Sequence, residues 1–208
     1  ETATAMAYSD DGGLTYSELL SFDTYTGANH QITEMAAIGG RLYVGAEEAG
    51  LLVSADTGAT WQQIMVDSSD ITPANRRNIV WGLDAVADTL RVGTDSGLVT
   101  LYLDPTGNID SSDFHVFPEE QFTSGARVLD VTSQIFEDTL GNYDSSAVWT
   151  INRALTESGA PCVFRGSDVT FGDTTFFLWG QAILPITVTN DIAYNGDTVF
   201  FAGDAGIL

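Results

Sequence analysis

The sequence predicts an all-β protein built from repeated units of antiparallel strands. Helical periodicity is nearly absent, and short β-branched and aromatic runs alternate with Gly, Asp and Asn. A pattern of strand, tight turn, strand, turn and third strand begins near Ala37 and recurs near Ala85 and Ala193. An eight-residue turn motif also occurs twice, with its copies about 45 residues apart, which is the length of a four-stranded repeat unit.

The turn motif reads Ser-x-Asp-x-Gly-x-Thr-aromatic. Its residues are Ser9, Asp11, Gly13, Thr15 and Tyr16 in the first copy, and Ser54, Asp56, Gly58, Thr60 and Trp61 in the second. The Asp and Ser side chains can bond nearby backbone amides, and Gly accepts the backbone angles of a tight hairpin. The aromatic residue then begins the next strand as an apolar plug. We expect a structural role for both Asp residues, with metal binding or catalysis as the alternative.

The two copies resemble the Asp-box, or BNR repeat, of sialidase-like, sortilin-like and xyloglucanase-like β-propellers. The resemblance implies a β-propeller of four-stranded antiparallel blades with an Asp-box at its hairpins. It carries little information about activity, because enzymes and binding proteins share the repeat.

On this interpretation residues 1–208 form a single propeller domain or segment. The approximate blades are 1–22 (partial), 30–66, 79–122, 127–180 and 186–208 (partial), and the fourth range lacks the repeat pattern. Both ends fall inside a repeat unit, and closed rings of four blades are uncommon. We therefore expect a segment of about four blades from a larger propeller, with a closed four-bladed ring as the alternative.

The composition is strongly acidic. There are 29 acidic residues against seven basic ones, all of them Arg, and the formal net charge is −22. Such a field repels nucleic acid and anionic lipid, so we expect neither as a partner. The most apolar stretch, 176–188, is interrupted by Pro185 and is too short for a membrane-spanning helix, so no membrane insertion is expected. Cys162 is the only cysteine and excludes an intrachain disulfide.

Two loops share a pattern that could bind calcium. Carboxylate and amide oxygens occupy the first, fifth and seventh positions, at Asp104, Asn108 and Asp110 in one loop and at Asp138, Asn142 and Asp144 in the other. Hard cations prefer such oxygen ligands, but neither loop has the Gly and the bidentate Glu of an EF-hand. Ordinary turn chemistry is the alternative, and the first loop lies where a third copy of the turn motif is expected.

Arginine and aromatic residues supply the remaining candidates for ligand contact. Arg76 and Arg77 form the one paired positive charge, which could meet a carboxylate or sulfate of a ligand or could anchor its loop against nearby acids. The strand positions predicted for Arg41, Arg91 and Arg153 argue against their convergence on a ligand. The aromatic residues Phe171, Phe176, Phe177 and Trp179 could stack on a sugar or pack between blades. His30 and His115 have no companions at metal-ligand spacing.

These observations favour a non-catalytic role. We expect a secreted or cell-surface module that binds a protein or glycan partner, either alone or within a larger assembly. The alternative is part of a secreted glycoside hydrolase whose catalytic residues lie partly outside this chain. A hydrolase needs a pair of carboxyl groups facing a cleft, and the sequence alone identifies no such pair among its 29 acidic residues.

Overall fold

A computed structural model describes most of the chain. The described residues are 5–21, 31–47, 49–67, 76–115, 117, 126–137, 139–141, 143–154, 162–171, 174–182, 189–196, 198–203 and 206–207. They form seventeen strands in five antiparallel sheets, with one 3-10 turn at Arg76–Asn78. The expected all-β class and four-stranded antiparallel sheets are confirmed. In the described part of the chain no helix is long and apolar enough to cross a membrane.

Strand order within every sheet follows the order of the chain, so each sheet is a meander. Sheet 1 contains β1 (Ala5–Tyr8) and β2 (Ser17–Ser21). Sheet 2 contains β3 (Ile32–Ile38), β4 (Arg41–Ala46), β5 (Gly50–Ser54) and β6 (Gln62–Ile64). Sheet 3 contains β7 (Val80–Val86), β8 (Thr89–Thr94), β9 (Gly97–Leu103) and β10 (Ile109–His115). Sheet 4 contains β11 (Ala126–Glu137), β12 (Tyr143–Ala154), β13 (Cys162–Phe171) and β14 (Thr174–Ala182). Sheet 5 contains β15 (Thr189–Asn195), β16 (Thr198–Gly203) and β17 (Gly206–Ile207).

The range 127–180, which lacks the repeat pattern, carries the longest strands of the protein. Its β11 and β12 have 12 residues each, against seven residues or fewer in sheets 2 and 3. The repeat is therefore hidden by strand length, since the four-stranded antiparallel arrangement itself is present.

Two-residue loops join the first two strands of sheets 2, 3 and 5. In sheet 2 the loop residues are Gly39 and Gly40, with φ of 59° and 74°. Positive φ at both positions is the requirement of the hairpin turn that matches strand twist, and Gly meets it without strain. In sheet 3 the first loop residue is Ala87, with φ of 52°. This conformation is energetically unfavourable for any residue that has a Cβ atom.

A β-bulge lies near the start of the first strand in each of sheets 2 to 5. The register shifts between Ile32 and Glu34, between Val80 and Gly82, between Val128 and Asp130, and between Thr189 and Asp191. A bulge bends a strand and redirects the side chains that follow it. The recurrence at one place shows that the four sheets are copies of one local design.

Consecutive sheets pack face to face, and an apolar cluster fills each interface. Sheets 1 and 2 share Met6, Val44, Leu52 and Trp61. Sheets 2 and 3 share the largest cluster, which includes Tyr43, Leu51, Val53, Val80, Leu83, Leu90, Val92, Val99 and Leu101. Sheets 3 and 4 share Leu98, Val128, Val131, Val148 and Phe164, and sheets 4 and 5 share Ile151, Val163, Ile192 and Phe201. Burial of alternating strand residues thus holds the stack together.

Glycine permits close approach where neighbouring sheets meet near their first strands. A Cβ on Gly45 would lie 2.6 Å from Val80 Cγ1, and one on Gly82 would lie 3.0 Å from a backbone atom of sheet 4. A Cβ on Gly93 would lie 2.8 Å from Val128 Cγ1 and 2.9 Å from the Val128 carbonyl oxygen. The backbones of adjacent sheets therefore come closer than any side chain would allow.

We predict that Gly93→Ala destabilises the fold by about 1–3 kcal/mol, because the new methyl group overpacks against backbone that cannot move freely. Gly180→Ala is the matched control, since its Cβ would have no neighbour closer than 3.9 Å. Urea unfolding of both variants checks the prediction. Equal midpoints for Gly93→Ala and the unchanged protein would contradict it.

Candidate functional site

The first copy of the turn motif is a closed network of side-chain hydrogen bonds. Asp11 Oδ1 accepts the Thr15 backbone N–H at 2.9 Å, and Asp11 Oδ2 accepts the Thr15 hydroxyl at 2.7 Å. The Ser9 hydroxyl donates to Asp11 Oδ1 at 2.8 Å and accepts the Gly13 N–H at 2.7 Å. Hydrogen bonds from Thr15 are the main reason why the pKa of Asp11 falls to about 2.

The second copy repeats this network. Asp56 accepts the Thr60 N–H at 2.8 Å and the Thr60 hydroxyl at 2.6 Å, and Ser54 Oγ accepts the Gly58 N–H at 2.7 Å. The Thr60 hydrogen bonds lower the pKa of Asp56 as well. The aromatic positions differ, because Trp61 is buried while Tyr16 is 72% exposed. The expected apolar plug therefore forms at Trp61 and is wrong for Tyr16.

The Asp104 loop forms a third turn of this kind. Asp104 Oδ1 accepts the backbone N–H of Thr106 at 2.8 Å and that of Asn108 at 2.9 Å, and the Asn108 side chain reaches Asp104 Oδ2 at 3.3 Å. Asn108 thus takes the place that Thr holds in the other copies. Hydrogen bonds from Thr106 and Asn108 lower the pKa of Asp104 to about 2.

This third turn also links two sheets. Arg41 Nε donates to the Thr106 carbonyl at 2.9 Å, and Arg41 Nη2 donates to Asn108 Oδ1 at 2.8 Å. The Tyr43 hydroxyl donates to the Gly107 carbonyl from the same side. Sheet 2 therefore holds the last hairpin of sheet 3 through three side-chain hydrogen bonds.

The calcium hypothesis remains a prediction. Both oxygens of Asp104 accept hydrogen bonds, and Asp110 is an exposed residue at a bulge of β10. Asp138 and Asn142 lie outside the described residues, as does the side chain of Asp144. Among the described residues no group of three or more His, Cys, Asp or Glu side chains is arranged to hold a metal ion.

The Arg76–Arg77 pair contacts carboxylates of its own chain. Arg77 Nη1 lies 3.1 Å from Asp67 Oδ2, and its guanidinium lies 3.8 Å above the Phe114 ring. Arg76 pairs with Asp95, a buried residue whose side chain is 4% exposed. These contacts favour the alternative in which the pair anchors its loop.

Asp95 connects sheets 3 and 4 through ion pairs and a hydrogen bond. Besides Arg76, it pairs with Arg127 of sheet 4, and the Trp81 indole N–H donates to Asp95 Oδ1 at 3.1 Å. The Arg127 guanidinium also lies 4.4 Å from the Trp81 ring centroid. Two guanidinium groups therefore compensate one buried carboxylate, as a buried charge requires.

A cleft of about 430 Å³ lies between the same two sheets, and we call it the sheet 3–4 cleft. Its lining combines Ser and Thr hydroxyl groups with the rings of Tyr102, His115 and Phe177 and the charged residues Arg91, Arg165 and Asp168. Small-ligand sites combine aromatic or apolar side chains with a few polar groups, and this cleft has both kinds with a larger share of polar residues.

Arg91 forms the inner wall of the sheet 3–4 cleft. It is 8% exposed, and its Nη2 donates to Ser146 Oγ of sheet 4 at 2.7 Å. Asp84 lies on the neighbouring strand, directly opposite Arg91 in the ladder. Burial raises the pKa of Asp84, and the nearby Arg91 charge only partly offsets this.

Two ring side chains on adjacent strands line the cleft with polar groups. The Tyr102 hydroxyl donates to Asp113 Oδ2 at 3.1 Å, and burial with this hydrogen bond raises the pKa of Tyr102 to about 12. His115 Nε2 lies 3.0 Å from the Thr100 hydroxyl, and burial lowers the pKa of His115, which favours the neutral ring. Its ring stacks on Phe177 with centroids 4.1 Å apart.

The sequence prediction missed this cleft because its residues come from several strands of two sheets. Arg91 does lie in a strand, as expected, but alternate strand residues point to opposite faces. The available signal was the i, i+2 spacing of polar residues at Thr89 and Arg91 in β8 and at Thr100 and Tyr102 in β9.

The aromatic candidates divide between packing and exposure. Trp179 packs against Phe164 and Phe117 in the interface of sheets 3 and 4, as the packing alternative predicts. Phe177 contacts Trp179 and also lines the sheet 3–4 cleft, while Phe176 is 49% exposed. The side chain of Phe171 lies outside the described residues.

We predict that Asp11→Asn lowers the melting temperature, because an amide N–H would face the Thr15 donors. Asp10→Asn is the matched control, since it removes the same charge from the adjacent exposed position. The pKa of Asp11 is depressed, so its stabilising effect is present above about pH 4 and is lost as pH falls toward 2. Calorimetry at pH 7 and pH 2.5 checks both points, and equal melting temperatures for the two variants at pH 7 would contradict the prediction.

The calcium hypothesis predicts that a chelator lowers the melting temperature and that added Ca²⁺ restores it. Scanning calorimetry with EDTA and then with excess Ca²⁺ measures the effect, and Mg²⁺ serves as the control cation. An unchanged melting temperature in EDTA would reject calcium as a stabilising ligand.

Comparisons with known proteins do not assign the chain to a family. No family model and no curated protein matches the sequence. Two similar solved structures are described as extracellular domains of a proposed one-component system and a proposed hybrid two-component system, both BT4673 of B. thetaiotaomicron. Each is 21% identical over 93% of this chain, with a TM-score of 0.34, and the chain spans 23% of the length of either structure. A similarity at this TM-score supports no inference about binding or activity.

Proposed function

We propose that the protein is a non-catalytic, exported module that binds a glycan in the sheet 3–4 cleft. The observation that carries the proposal is the composition of the cleft wall. Rings at Tyr102, His115 and Phe177 offer apolar faces, while Asp168 and Arg165 offer an acceptor and a donor at the same cavity. Sugars present both apolar C–H faces and hydroxyl groups, so they fit a wall that alternates rings with polar groups.

We also propose that the five sheets are blades of a β-propeller segment. The face-to-face stacking in chain order supports this, as do the contacts of the first strands β3, β7, β11 and β15 with one another in sequence. The three Asp turns with one hydrogen-bond pattern add support from the resemblance to the Asp-box family. A crystal structure in which the first strands do not surround a common axis would reject the proposal.

The occupation of carboxylates by hydrogen bonds supports a non-catalytic role. Asp11, Asp56 and Asp104 bind the donors of their own turns, and Asp95 is held by two Arg side chains. None of these four carboxylates lines the sheet 3–4 cleft.

One observation favours the hydrolase alternative. Asp168 lines the sheet 3–4 cleft, and Asp113 accepts the hydroxyl of Tyr102, which also lines it, so two carboxyl groups are associated with this cleft. Glycosidases use a pair of carboxyl groups on either side of the scissile bond. Asp113 already accepts the Tyr102 hydroxyl, so one of its carboxyl oxygens is occupied.

Binding of neutral and carboxylated oligosaccharides, measured on a glycan array and then by isothermal titration calorimetry, tests the proposed function. We predict that at least one oligosaccharide binds and that Asp168→Ala weakens its binding at least about tenfold, the size of a lost charge-assisted hydrogen bond. Asp10→Ala is the control, because Asp10 is an exposed acid outside the cleft lining.

Three results would change the conclusion. Absence of binding to any oligosaccharide would reject glycan recognition, and binding unaffected by Asp168→Ala would move the site away from this cleft. Release of shortened oligosaccharides by the unchanged protein, abolished in both Asp113→Asn and Asp168→Asn, would favour the hydrolase.

A further inference from the structure

A carboxyl pair joins sheets 4 and 5 at their first strands. Asp130 of β11 and Asp191 of β15 both follow the bulge of their strand, so they occupy equivalent positions in neighbouring sheets. The Ile192 backbone N–H lies 2.9 Å from Asp130 Oδ2 and 2.9 Å from Asp191 Oδ1. Because one N–H serves two carboxyl oxygens, the two carboxyl groups lie side by side.

The surroundings of Asp130 are unfavourable for a negative charge, whereas its partner Asp191 is exposed. Asp130 also accepts the Val131 N–H at 2.8 Å and lies partly buried in the sheet interface. Two more acids, Glu34 of β3 and Asp84 of β7, lie on the first strands of the neighbouring sheets. Burial raises the pKa of Glu34, and the charges of Asp191 and Asp84 add to this. Arg91 of β8, a strand that packs against β11, lies opposite Asp84 in the ladder.

We propose that Asp130 and Asp191 share one proton across the joint between sheets 4 and 5, and that loss of this proton loosens the joint. In the protonated pair one carboxyl O–H donates to the other carboxylate, while the Ile192 N–H continues to donate to both groups. Release of the proton leaves two adjacent carboxylates with a single shared donor, and their repulsion pushes β11 and β15 apart.

The direction of the effect follows from the two states. Burial and the neighbouring Asp191 raise the pKa of Asp130 from its ordinary value of 3.8 to about 7. Between pH 3.8 and about pH 7, the folded chain therefore keeps a proton that the unfolded chain has released. The contribution of the pair to stability is fully present below about pH 4 and declines as pH rises through about 7.

Carbon-13 NMR of the side-chain carboxyl groups tests the shared proton directly in the unchanged protein. We expect one Asp carboxyl signal to titrate near neutral pH and to disappear from that range in Asp130→Asn. The Ile192 amide should lose protection from hydrogen exchange between pH 6 and pH 8.5, after correction for the intrinsic exchange rate. Titration of every Asp signal below pH 5 would overturn the proposal.

Thermal unfolding between pH 5 and pH 8.5 supplies the second test. Asn at position 130 supplies an N–H donor to Asp191 at every pH. The melting temperature of Asp130→Asn should therefore fall much less between pH 5 and pH 8.5 than that of the unchanged protein. Asp10→Asn removes the same charge from an exposed position, and its melting temperature should fall with pH as that of the unchanged protein does. This control separates the effect of the pair from general repulsion in an acidic chain. If Asp130→Asn does not fold, Asp191→Asn is the substitute. An equal fall in the unchanged protein and in the folded variant would overturn the proposal.

Discussion

The structure depends on the close face-to-face contact of neighbouring sheets near their first strands. Gly45, Gly82 and Gly93 have no side chain to keep adjacent backbones apart, and the apolar clusters fill the space beyond them. The same contact brings the third Asp turn of sheet 3 within reach of Arg41 of sheet 2, and side chains of sheets 3 and 4 together line the sheet 3–4 cleft.

Sequence information predicts local features of this protein well and features between sheets poorly. The spacing of the two Asp motifs and the hairpin glycines indicates four-stranded units, and the third turn could be placed at Asp104 although Asn108 replaces Thr. Sheet 4 was harder, because strands of 12 residues break the spacing of the repeat. The cleft could not be predicted, because its rings and charges converge only when two sheets pack, and one sequence does not say which strand faces meet.

Acidic residues have opposite tasks in different parts of the chain. The turn carboxylates of Asp11 and Asp104 are stabilised in their charged form by hydrogen bonds, which lower their pKa to about 2. The carboxyl groups near the first strands are instead stabilised in the neutral form by burial and by each other. The turn carboxylates therefore stabilise the fold more at higher pH, and Asp130 stabilises it more at lower pH. The net charge of −22 therefore includes acidic residues with lowered pKa values and others with raised pKa values.

The Asp turns have a consequence for the order in which the chain folds. Each carboxylate bonds to donors only two to four residues away, so a turn needs no distant part of the chain to form. Short loops close early and at low entropic cost, whereas contacts between sheets close long loops and come late. The turns therefore preset the strand pairing of the outer hairpins before the core is assembled, which reduces the chance that strands rich in Val, Leu and Phe pair out of register with one another or with a neighbouring molecule.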